Sequence, residues 1–140
     1  MTNHKPMGAR GYVAGHGLDV VDIADFSRLT RAPMSAFLDR YFTVSELASA
    51  GDGIDRVEKL ASRFAVKEAV LKALGVGWGD GFAFTDVEVV TLGSGAPTVR
   101  LRRRLEELGK EREIASWSVS ASHTNLFAIA SVIALSIPAQ

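Results

Sequence analysis

Residues 60–75 read Leu-Ala-Ser-Arg-Phe-Ala-Val-Lys-Glu-Ala-Val-Leu-Lys-Ala-Leu-Gly. At 3.6 residues per turn, Leu60, Phe64, Val70, Leu71 and Leu74 share one broad arc. Ala61, Ala65, Ala69 and Ala73 recur every fourth residue and make a smooth ridge on another side. The pattern predicts one long helix over 55–74, stopped by Gly75 and Gly77. So smooth a ridge lets a second element, or a second subunit, come close. Arg63 and Lys67 stand one turn apart within the apolar arc, where long stems can cover apolar surface while their heads reach water. Glu68 and Lys72, also one turn apart, sit beside the ridge.

Working outward, residues 13–23 (Val-Ala-Gly-His-Gly-Leu-Asp-Val-Val-Asp-Ile) predict a strand whose only acids are Asp19 and Asp22. Apolar spacing over 25–42 predicts two short helices broken at Pro33. Thr43 with Glu46 three residues on is a capping-box pattern, and the helix it opens ends by Gly51. Past the glycine-rich loop 76–81, residues 84–92 alternate as a strand. Gly93-Ser94-Gly95 then turns the chain into a second strand at 98–101. A charged helix at 102–112 follows, then strands at 116–122 and 126–136 around His123-Thr124-Asn125. This order predicts an α+β fold, an antiparallel sheet packed with helices. Residues 1–11 are expected to be a flexible extension, and 12–140 a single domain.

Composition narrows the function classes. The chain has 140 residues, 47% hydrophobic and 23% charged, enough for a real core. Sixteen basic residues balance sixteen acidic ones, so net charge points to neither nucleic acid nor membrane as partner. Without cysteine, disulfides, thiolate metal sites and cysteine nucleophiles are excluded. The longest apolar run, near 126–137, is too short to cross a bilayer. No signal-peptide pattern opens the chain, and a soluble cytoplasmic protein is expected.

The chemistry-bearing residues allow two readings. In one, Glu68 and Lys72 are a surface ion pair worth a few tenths of a kcal/mol. In the other, a carboxylate flanked by Arg63, Lys67 and Lys72 holds a divalent ion while the cations bind phosphate oxygens. Magnesium usually takes one or two carboxylates plus substrate phosphates, so a second acid is required. Asp19 is the candidate. It lies among Leu18, Val20 and Val21, where an unpaired charge is costly, and after Gly15-His16-Gly17, whose small residues leave room. A strand-end capping role is its alternative. His123 suits either a structural loop position or a phosphate contact.

Four stretches resemble the holo-acyl-carrier-protein synthase family, the small bacterial class of 4′-phosphopantetheinyl transferase. They are Gly17-Leu-Asp-Val-Val-Asp-Ile23, residues 37–46, residues 63–75 and Ser118-Val-Ser-Ala-Ser-His123, in the family's order. The resemblance implies that family's fold. It implies transfer of the phosphopantetheine arm of coenzyme A to a serine of apo acyl carrier protein, releasing adenosine 3′,5′-bisphosphate. Asp19 and Glu68 match its magnesium ligands, and with Lys72 they form the implied catalytic set. Arg63, Lys72, Gly75, His123 and Thr124 match its coenzyme-binding positions. It also implies a homotrimer with sites between subunits, which suits the alanine ridge. A different class, a coenzyme A or nucleotide-binding module without transfer activity, stands as the alternative. Two features depart from the family. Gly95-Ala96-Pro97 lacks a lysine common there, for which Arg100 or Arg102 could compensate. The run Arg102-Arg103-Arg104 is either a solvated helix start or part of a carrier-docking patch.

Overall fold

The computed structural model describes residues 11–31 and 35–137. Its strands are β1 (Tyr12–Asp22), β2 (Val87–Thr91), β3 (Pro97–Leu101), β4 (Ile114–His123) and β5 (Phe127–Ser136). Its helices are α1 (Ile23–Arg31), α2 (Ser35–Tyr41), α3 (Val44–Ala50), α4 (Arg56–Leu74) and α5 (Arg103–Glu111). The predicted break at Pro33 and most of the predicted N-terminal extension lie outside the described residues. Strands β1, β5 and β4 form an antiparallel sheet in that order, and β2 and β3 pair as a separate hairpin. The α+β expectation holds. Most boundaries shift by one or two residues, and the largest shift is at the hairpin, where residues 84–86 form a single 3-10 turn and the strand begins at Val87.

Helix α4 crosses the sheet against β1 and β5. It ends where the sequence said it should, on Gly75 in the left-handed region (φ 70°). The Arg112 guanidinium bonds the carbonyl of Leu74 and so satisfies one of the orphan acceptors there. The alanine ridge faces inward. Ala61, Ala65 and Ala69 are wholly buried. A Cβ at Gly17 would stand 1.8 Å from the Ala69 carbonyl oxygen, and one at Gly15 would stand 2.1 Å from that of Ala73. The ridge is therefore filled by the chain's own first strand, which corrects the reading that it faces another subunit. Two residues of strand rise about 6.8 Å and four of helix about 6 Å, so the glycines and alanines fall into step.

Two apolar clusters result. One joins α4 to the sheet and hairpin through Val66, Val70, Leu74, Val87, Leu105 and Val132. The other packs α1, α2 and α3 on the N-terminal half of α4 through Ile23, Phe26, Phe42 and Leu60. No described helix packs on the opposite face of the sheet. Leu18, Val20 and Ile129 stand exposed on it, with Val20 directly beside Ile129 across the ladder. No described helix is long and apolar enough to cross a membrane.

Candidate active site

On the inner face of β1, Asp19 is paired with Ala130, and its side chain points toward α4. Lys72 does not bond Glu68, its neighbour one turn back. Its ammonium donates to Asp19 Oδ1 (2.9 Å) and to the Leu18 carbonyl (3.0 Å). Glu68 instead accepts from the indole Nε1 of Trp78 through Oε1 at 3.2 Å. Asp19 and Glu68 line one cavity of about 270 Å³, whose wall also carries Asp22, Asp25, Phe26 and Phe64. Burial pushes the Glu68 carboxyl above its ordinary range, the indole hydrogen bond opposes this, and the charge of Asp19 adds to it. The predicted Glu68–Lys72 pair is thus replaced by Asp19–Lys72 with Glu68 beside it.

Arg63 and His123 come together elsewhere. They line a second cavity of about 200 Å³ with Lys59, Ser62, Val66 and Pro97. Burial pulls the Arg63 guanidinium below its usual range, and the nearby charge of Glu46 pulls the other way. Among the described residues, neither Arg63 Nη1 nor the Ser62 hydroxyl finds a hydrogen-bond partner, although both atoms are buried. Such orphaned donors normally mark a missing ligand or solvent. Residues 64, 68 and 72 form one stripe of α4, while 59, 62, 63 and 66 form another on roughly the opposite side. The acids and the orphaned cation therefore occupy the two flanks of one helix.

Other predicted positions take different parts. Lys67 is fully buried, and its ammonium donates to Glu46 Oε1 (2.8 Å), the Val87 carbonyl (2.6 Å) and the Phe84 carbonyl (3.1 Å). It neither snorkels nor reaches a phosphate. Thr124 uses its hydroxyl to accept from the backbone of Leu126 and Phe127, closing the turn between β4 and β5. Gly75 shapes the end of α4, and neither residue lines the two cavities. Arg102 and Arg103 open α5 as a largely exposed helix start, with Arg102 bound to Glu88 at 2.5 Å and Arg103 to Asp86 at 2.5 Å. Arg100 lines a further cavity with Glu106 and Lys110, away from Ala96. Neither arginine lines the cavity that holds His123. Sequence reading missed Trp78; its place in a glycine-rich stretch just beyond the helix was the available signal.

Comparison with known proteins settles the family. Residues 15–132 match the model of the 4′-phosphopantetheinyl transferase superfamily. The chain belongs to that family. It is 38% identical to the holo-acyl-carrier-protein synthase of a Geobacter species over 86% of this chain and 97% of that one. It is 42% identical to the synthase of Frankia alni, over 87% and 97%. Among solved structures, the Helicobacter pylori synthase in complex with coenzyme A is 34% identical, with a TM-score of 0.75 over 85% of this chain and 98% of that one. The Neisseria meningitidis synthase is 30% identical, with a TM-score of 0.79 over 88% and 98%. This phosphopantetheinyl transferase is therefore an enzyme, which decides against a binding module without activity.

Proposed function

We propose that this enzyme transfers the 4′-phosphopantetheine group of coenzyme A to a serine of apo acyl carrier protein, with Asp19 and Glu68 holding a magnesium ion. The observation that carries the site assignment is the meeting of Asp19 from β1 and Glu68 from α4 in one cavity, with Lys72 bonded to Asp19 between helix and strand. Oxygen donors of this kind suit a hard divalent cation. Among the described residues there is no group of three or more acids and histidines poised around one point. Magnesium usually completes its shell with substrate phosphate and water rather than with an all-protein cage. When bound, the ion supplies charge neutralisation across the pyrophosphate.

The chain's own residues do the rest. The nucleophile is the carrier's serine hydroxyl, so no serine triad is needed here. Its oxygen bonds to the pantetheine-bearing phosphorus as the pyrophosphate bridge breaks, the hydroxyl proton passes to solvent water, and adenosine 3′,5′-bisphosphate leaves. Such transfers rest on positioning and electrostatics more than on covalent catalysis. Lys72, held by Asp19 and exposed on its other side, is placed to take up charge on the departing phosphate. Arg63 and His123 bind a phosphate of the coenzyme, and the orphaned Nη1 of Arg63 supports this.

The two flanks of α4 suggest how a site is completed. Each cavity is smaller than the roughly 300–1,000 Å³ that encloses a drug-sized ligand, and coenzyme A is larger still. The uncovered apolar face of the sheet offers a surface on which further copies can pack. In a homotrimer, the acid flank of one subunit would meet the Arg63 flank of the next.

Weighing apo carrier protein by mass spectrometry after incubation with enzyme, coenzyme A and magnesium tests the reading. Gain of the phosphopantetheine mass is expected, and its absence with every carrier tried would refute the transfer. Asp19→Asn and Glu68→Gln are each expected to cut the rate about 10²- to 10³-fold. Refolding an Arg63→Ala chain with a Glu68→Gln chain should restore part of the activity each lacks alone. No recovery would place both flanks in one subunit's site.

A further inference from the structure

Trp78 has no part in the chemistry above, yet it makes the only hydrogen bond to the Glu68 carboxylate among the described residues. It begins a 3-10 turn, Trp78–Asp80, in the glycine-rich segment beyond α4. The segment is tied down. Gly77 N–H donates to Asp80 Oδ2 at 2.9 Å, and Gly81 takes a left-handed conformation with φ 91°. The indole lies flat on Phe84, with ring centroids 3.6 Å apart at 28°. Phe84 in turn stacks on Phe64, at 5.4 Å and 16°. Phe64 sits one turn before Glu68 on α4, so the circuit from Glu68 through Trp78 and Phe84 to Phe64 starts and ends on the same helix. The indole is held from below by rings and reaches Glu68 from the side.

The consequence lies in the carboxylate. An indole N–H is a donor only and cannot ligate a cation. It occupies Oε1. Among the described residues no donor reaches Oε2, and the one lysine within reach is turned to Asp19. Partners of this kind fix the orientation of a metal-binding group. We propose that Trp78 is a positioning residue that anchors Glu68 through Oε1 and presents Oε2 to the divalent cation, so that its indole senses the cation's arrival. This rests on the assignment of Glu68 as a metal ligand.

The chain has two tryptophans, so a Trp117→Phe protein carries Trp78 as its single indole. Its emission is followed as magnesium chloride is added, with and without coenzyme A. A saturable change is expected, lost when Glu68→Gln is added to the same chain. In parallel, calorimetry with coenzyme A present measures magnesium binding, where Trp78→Phe should bind about tenfold more weakly than the parent. An unchanged affinity for Trp78→Phe, or a silent indole while heat of binding is seen, overturns the proposal and leaves Glu68 as a ligand. Equal magnesium binding by Glu68→Gln and the parent refutes the ligand assignment itself. If Trp78→Phe fails to fold by circular dichroism, the emission arm decides alone, because Trp78 is intact there.

Discussion

Lys67 and Lys72 stand five residues apart on α4, and each meets a carboxylate at nearly the same distance. Lys67 reaches Glu46 at 2.8 Å and Lys72 reaches Asp19 at 2.9 Å. Their surroundings differ completely. Both side chains of the first pair are fully buried, whereas the Lys72 side chain is 55% exposed and that of Asp19 14%. The inner pair is also saturated. Lys67 spends its other protons on the carbonyls of Phe84 and Val87, and Glu46 accepts from the Thr43 and Val89 amides. It joins α3, α4 and β2 at one point. The outer pair keeps an open side, and an exchangeable partner is what a substrate phosphate or a cation requires. Distance alone separates nothing here; enclosure separates a structural ion pair from a working one.

The comparison breaks most readily at Lys67. Removing one partner of a buried pair strands the other charge and costs about 3–5 kcal/mol. Lys67→Met should therefore lower the urea midpoint sharply, and a shift worth less than about 1 kcal/mol would show that the buried pair is not what binds α3 and β2 to the helix. At Lys72 the same change should act on rate. Its pair is solvent-screened and worth about 0–1 kcal/mol, so the melting temperature should barely move. The transfer rate should fall about a hundredfold, roughly 2.7 kcal/mol of transition-state stabilisation. Equal stability losses at the two lysines would erase the distinction drawn between them.

What the sequence disclosed follows the same line. Helix α4 was legible because its apolar period is long and a glycine ends it; Asp19 was legible as an acid in a costly place, and Glu68 as a carboxylate flanked by cations. The capping box was legible too, and Thr43 and Glu46 do make both of its bonds. Beyond reach was the second use of Glu46, since nothing local says that a capping carboxylate is buried against a lysine 21 residues later. Which flank of the helix each charge faces also depends on long-range packing. The alanine ridge was read as a surface for close approach by a second element or a second subunit, and of the two it is the element, β1, that fills it. Gly15 and Gly17, two apart on one face of β1, were the matching signal. Gly17→Ala tests that match. The added methyl meets backbone rather than a flexible side chain, so about 1–3 kcal/mol of destabilisation is expected. Activity should fall further than stability explains, because Asp19 is carried away from Lys72 with the strand. A neutral Gly17→Ala would mean that helix and strand are not in register as described.

The smallest effect is expected at Glu68, and its sign is informative. Burial raises the Glu68 carboxyl above its ordinary value of 4.5, aided by Asp19 and opposed by the Trp78 hydrogen bond and by Lys72. The folded chain therefore holds a proton at a pH where the unfolded chain has released it. Stability from this source is complete below the unfolded value and declines as pH rises through the folded one. Above that point a half-buried charge is carried at a standing cost. Glu68→Gln removes the cost, and with solvent screening the gain should be about a few tenths of a kcal/mol. In metal-free buffer its melting temperature should exceed the parent's at pH 8 and converge with it below the ordinary carboxylate range. Added magnesium with coenzyme A should reverse the order, because only the parent gains the magnesium ion as a further ligand of the folded state. A Glu68→Gln protein less stable than the parent at pH 8 would make Glu68 a structural carboxylate like Glu46, and the outer side of the helix would lose its distinction from the inner one.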